Sequence, residues 1–81
     1  MTLLSQEDQL LLINKMTDEY QTIIANQNDS PEFLNNGYKL LVEINQLTKP
    51  RYFDEYNLVA LQRIGFRLAN FLHRFSYKFA S

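Results

Sequence analysis

The sequence predicts an all-α fold, a small antiparallel up-down helical bundle of three helices, or of four if the last is broken at Gly65. Three observations carry this. Apolar residues recur every three or four positions in three separate blocks, capping or breaking residues bound each block, and no hairpin dipeptide or sustained two-residue alternation competes. With 81 residues there is room for one domain, spanning 1–81, with helices at about 6–26, 31–48 and 55–79. Connections this short place successive helices side by side and antiparallel.

In the first block Leu10, Leu12, Ile13, Met16, Tyr20, Ile23 and Ile24 share one broad arc, and Leu11 points away from it. Ser5 is the expected N-cap, with Asp8 at the capping-box position. The run from Asn26 to Ser30 ends the block, because these short polar side chains compete for local backbone hydrogen bonds. Ser30-Pro31-Glu32 then opens the second block, a capping side chain followed by a proline whose missing N–H costs nothing in a first turn. Phe33, Leu34, Tyr38, Leu41, Ile44 and Leu47 form its apolar side, where Gly37 permits close approach of a neighbouring helix, and Pro50 marks the stop. Asp54 is the expected cap of the third block. There Leu58, Leu61, Gly65, Leu68, Leu72, Phe75 and Phe79 form a seam that Ile64 and Phe71 widen enough to serve two partner helices. Glycine costs about 1 kcal/mol in a helix interior, so a kink or break at Gly65 stays open.

The absence of cysteine rules out a disulfide framework, a thiol nucleophile and a zinc–thiolate site, and fits a reducing compartment. Acidic Glu7 and Asp8 stand where a secretory signal carries its positive charge, so export by that route is not expected. The most apolar stretch, residues 56 to 79, is interrupted by Arg63, Arg67, His73, Arg74 and Lys78 and does not read as a membrane span. Catalysis has no motif: the sole histidine, His73, lacks a partner constellation, and the adjacent carboxylate pairs Glu7-Asp8, Asp18-Glu19 and Asp54-Glu55 have members that diverge by about 100° on a helix. Gly37 and Gly65 are isolated rather than set in a phosphate-binding loop. No enzyme, cofactor or metal is expected.

Charge is more informative. Residues 1–50 carry seven acids and three bases, a net −4, whereas residues 51–81 carry two acids and five bases, a net +3. Arg63, Arg67, Arg74 and Lys78, with Asn70 between them, share one stripe of the last helix. That stripe reads either as a flank paired with acids of the first two helices or as a surface for an acidic partner or an anionic membrane face. Without a reader motif, nucleic acid is not expected. Most of the aromatic residues crowding the last third belong to the core, but two short neighbours cannot bury them all. Phe66 and Tyr77 are expected to stay exposed as a docking patch or a dimer contact. The partner-binding residues expected are therefore Arg63, Phe66, Arg67, Asn70, Arg74, Tyr77 and Lys78.

The layout carries a resemblance. A polar-capped first helix is followed by Ser30-Pro31-Glu32-Phe33-Leu34, which leads through Tyr38-Lys39-Leu40-Leu41 to a Lys-Pro-aromatic link. Arg67-Leu68-Ala69-Asn70-Phe71-Leu72 and Tyr77-Lys78-Phe79 follow in the last helix. In these features the chain resembles the small intracellular immunity proteins that protect producers of pediocin-like (class IIa) bacteriocins, the enterocin A immunity type. The resemblance implies a cytoplasmic, non-enzymatic protein that blocks a pore-forming bacteriocin by associating with the bacteriocin-bound sugar-uptake permease at the inner face of the membrane. It also implies that the basic-aromatic last helix docks. The family usually adds a fourth helix and a variable tail that recognises the particular bacteriocin. A break at Gly65 restores four helices; without one, that determinant does not carry over. The other readings are a small helical adapter or regulator, monomeric or weakly homodimeric through the last helix, and a small ligand-binding or enzymatic bundle.

Overall fold

The computed structural model describes residues 3–27 and 31–80, with side chains described through Ser76. Three helices follow one another, α1 (Gln6–Ala25), α2 (Pro31–Thr48) and α3 (Glu55–Ala80), with no strand among the described residues. They pack up-down-up. Lys15 of α1 meets Glu43 of α2, and Phe33 near the start of α2 meets Phe75 near the end of α3. The beginnings of α1 and α3 lie together, where Gln9 meets Asn57. The bundle measures 45 × 19 × 16 Å, its length set by α3, whose 26 residues span about 39 Å at 1.5 Å each.

Local signals start the helices as expected. Ser5 Oγ accepts from the Asp8 N–H at 3.1 Å, α2 begins on Pro31, and Asp54 Oδ1 accepts from the Asn57 N–H at 2.8 Å. The capping role expected of Ser30 lies outside the described residues. Asn26 closes α1 by donating its backbone N–H to Thr22 O at 3.0 Å, one residue inside the expected boundary.

The core consists of Met16, Leu40, Ile44, Phe53, Leu61, Leu68 and Leu72, with α3 as its spine. Phe33 caps one end of it, its ring centroid 5.8 Å from Phe71 and 5.3 Å from Phe75 in edge-on geometry. Gly37 is buried against α3: a Cβ there would fall 2.4 Å from Leu72 Cδ2, so the helices approach as closely as they do because the side chain is missing. Gly65 does not break α3, and the four-helix alternative is not realised. Its backbone rests on Ile44, whose Cγ2 would lie 3.3 Å from an added Cβ, and the fully buried Leu61 and Leu68 clamp the turns on either side. Burial of each such side chain is worth about 1.5–3 kcal/mol, more than the glycine costs.

Two core assignments are corrected. Leu10 is half exposed, and Gln9, which periodicity left out, is completely buried in its stead. Tyr38 is likewise largely exposed, its hydroxyl 2.6 Å from that of Ser76, while Leu40 is buried. The cause of the first is a polar cluster between the starts of α1 and α3. Gln9 Nε2 donates to Leu4 O at 2.7 Å, and Gln9 Oε1 accepts from the Asp54 N–H at 3.0 Å and from Asn57 Nδ2 at 2.8 Å. Gln6 Nε2 donates to Asp54 Oδ2 at 2.5 Å, and the Leu4 N–H donates to Tyr52 O at 2.8 Å. Among the described residues no buried side-chain polar atom lacks a partner.

Candidate docking face on the last helix

At 100° per residue, Tyr56, Val59, Arg63, Phe66, Arg67, Asn70 and Arg74 fall within an arc of about 100°, opposite the buried Leu61, Leu68 and Leu72. All seven are exposed. The unbroken course of α3 through Gly65 makes this one continuous crest, and α1 and α2, packed on the other side, leave it uncovered. Phe66 is 71 % exposed, as expected. Tyr77 and Lys78 belong to α3, but their side chains lie outside the described residues.

The crest has two edges. Arg67 and Arg74 run along one, with Arg63 near the middle. Val59 and Phe66 run along the other, where Phe66 flanks a cleft between α2 and α3. The expected pairing of the arginines with carboxylates of the first two helices is not found. Among the described residues the ion pair is Lys15 Nζ to Glu43 Oε1 at 3.9 Å, and Arg63, Arg67 and Arg74 have no carboxylate partner. Topology explains this: Asp18, Glu19 and Glu43 line the cleft between α1 and α2, turned away from the crest. Lys39 lines that cleft with them and Lys15 pairs with Glu43, so these acids have basic neighbours of their own while the crest arginines are left without carboxylates.

Sequence reasoning missed Tyr56 as part of this face, counting it among aromatics of which most belong to the core; it is 85 % exposed. Its signal was present, since Tyr56 stands seven residues before Arg63 and fourteen before Asn70, the register that gathers the arginines.

His73 is exposed, and among the described residues no three histidine or carboxylate groups gather where a metal ion could be held. The Asp54 carboxyl is held below its ordinary value of 3.8 first by the Asn57 backbone N–H and then by the Gln6 side chain. Both are capping and latching interactions. Among the described residues no helix is long and apolar enough to cross a membrane.

Fold and face together define a three-helix bundle that presents an uncovered basic-aromatic helix. No protein-family model, curated protein or solved structure matches the chain.

Proposed function

We propose that this protein is a non-enzymatic docking module that acts through the outer crest of α3. Its role follows the immunity proteins it resembles: protecting a producing cell from a pore-forming, pediocin-like bacteriocin. It does so from the cytoplasm by associating with the bacteriocin-bound sugar-uptake permease at the inner face of the membrane. The observation that supports this is the crest itself, three exposed arginines without carboxylate partners beside the exposed rings of Phe66 and Tyr56. Guanidinium groups left unpaired are free to fork onto carboxylate or phosphate oxygens. Each basic side chain near an anionic leaflet gains about 1 kcal/mol, and exposed aromatic rings supply the apolar anchors of protein interfaces.

The test is to express the chain in a bacteriocin-sensitive strain and challenge it with a panel of pediocin-like peptides, comparing wild type with Arg67→Glu/Arg74→Glu. Survival against a subset of the panel is expected, and its loss in the charge-reversed, still-folded variant. Confirmed intracellular expression with no protection against any peptide overturns the immunity reading. Protection that persists in the charge-reversed variant overturns the assignment to α3.

A further inference from the structure

The inner rows of α1 and α3 repeat every seven residues, and one pair of positions in them is polar. Gln9, Met16 and Ile23 follow one another at that spacing on α1, as do Asn57, Ile64 and Phe71 on α3. Met16 is fully buried, Ile23, Ile64 and Phe71 are half-buried, and the two helices run parallel with their first turns together. A slide of α1 along α3 by one heptad, about 10 Å, therefore lays apolar side chains on apolar side chains again. The link of residues 26–30, up to about 17 Å when extended, is long enough to permit it. Heptad spacing alone does not distinguish the observed register from its neighbours. We propose that the buried amides of Gln9 and Asn57 form a register clasp, the device that holds α1 at one position along α3.

The geometry of the pair fits this role. In the observed register Gln9 Oε1 accepts from Asn57 Nδ2 at 2.8 Å and from the Asp54 N–H at 3.0 Å, while Gln9 Nε2 donates to Leu4 O at 2.7 Å. A slide of one heptad toward the end of α3 carries the Gln9 amide to the level now held by Met16, into the layer of buried apolar side chains. The opposite slide sets Met16 against Asn57 and leaves the Asp54 N–H and the Asn57 amide without the Gln9 oxygen that both reach. Stranding a polar group in a dry site costs more than a hydrogen bond adds, so the clasp disfavours both slides even where its own bonds contribute little net stability. Its place at the end of the bundle adds outer bonds. Gln6 Oε1 accepts from Asn57 Nδ2 at 3.3 Å and the Leu4 N–H donates to Tyr52 O at 2.8 Å, so the same register also seats the segment ahead of α1. The inference is independent of what the crest of α3 binds.

Distances between spin labels test it, and because the chain has no cysteine the introduced ones are the only labelling sites. Labels at Leu11→Cys on the exposed side of α1 and Arg74→Cys on the crest of α3 read the position of one helix along the other. In the otherwise wild-type chain a single distance is expected. Gln9→Leu/Asn57→Leu makes both rows apolar throughout. It should keep the helical circular dichroism and gain a second distance, displaced by roughly 5–10 Å as a slide of one heptad requires. Asn57→Leu alone, the milder change, should show the same second distance at lower population, and it decides the matter if the double variant does not fold. Met16→Ala is the control: it lowers the urea midpoint by opening a cavity but leaves the clasp in place, and should keep the single distance. A single, unshifted distance in both clasp variants overturns the proposal, as does a wild-type chain that already shows two. So does a second distance in Met16→Ala as strong as in Asn57→Leu, because general loosening and not the clasp then accounts for it.

Discussion

Gln9 holds three polar groups from two parts of the chain: the carbonyl of Leu4 ahead of α1, and the backbone N–H of Asp54 and the side-chain amide of Asn57 at the start of α3. Its side chain is fully buried, so Gln9→Leu leaves those groups short of partners in a dry site and is expected to lower stability by about 2–3 kcal/mol. Asn57→Leu should cost less, about 1 kcal/mol, because Gln9 Oε1 keeps the Asp54 N–H. Urea unfolding checks both, as a shift of midpoint at constant slope. Asp54 adds a pH dependence. Its pKa is lowered on folding, so its charged form stabilises the fold above the ordinary value of 3.8, and that contribution is lost as pH falls through the lower folded value. Asp54→Asn keeps a capping oxygen but not the charge. The stability gap between wild type and this variant should close as unfolding is followed below pH 3.8. None of this was legible in the sequence beyond the cap: a glutamine within an amphipathic run reads as a solvent position until its partners, 45 and 48 residues away, are in place.

Helix packing turns on two glycines that sequence alone treats alike. At Gly37 an added methyl meets Leu72, itself fully buried, and Gly37→Ala is expected to destabilise by about 1–2 kcal/mol despite the better helix propensity of alanine. At Gly65 the nearest atom is Ile44 Cγ2 at 3.3 Å, and the propensity gain of about 1 kcal/mol offsets a shift of a few tenths of an ångström. Gly65→Ala should therefore stay within about 1 kcal/mol of wild type, and thermal unfolding of the two variants side by side reads the difference. The three helices and their starts were legible because periodicity and capping are local properties. The continuity of α3 was not, because it depends on what α2 places against it. Leu10 and Tyr38 were misplaced for a related reason: both sit on the margin of an apolar arc, where a neighbour's position decides which residue is covered.

For the whole molecule, the separation of charge matters most. Asp18, Glu19 and Glu43 line a cleft between α1 and α2 together with Lys39, and the arginines of α3 face outward without carboxylate partners among the described residues. Arg67→Glu/Arg74→Glu should consequently leave urea stability within about 0.5 kcal/mol, since no ion pair within the fold is broken. Any loss of function in that variant then reports binding and not folding. The stripe and exposed Phe66 were legible from spacing, whereas their lack of internal partners was not, because carboxylates and arginines approach or avoid each other only through the packing of three helices.

By itself the sequence determined an all-α chain with three amphipathic helices, an arginine register along the last of them and a charge imbalance between its parts. These follow from residue spacing and side-chain chemistry, which act within a few turns. Tertiary structure decided that α3 continues through Gly65, that Gln9 and Asn57 are core, and that Tyr56 joins the exposed crest. Each of these depends on atoms brought together from distant parts of the chain, and burial is a property of that meeting rather than of any one segment.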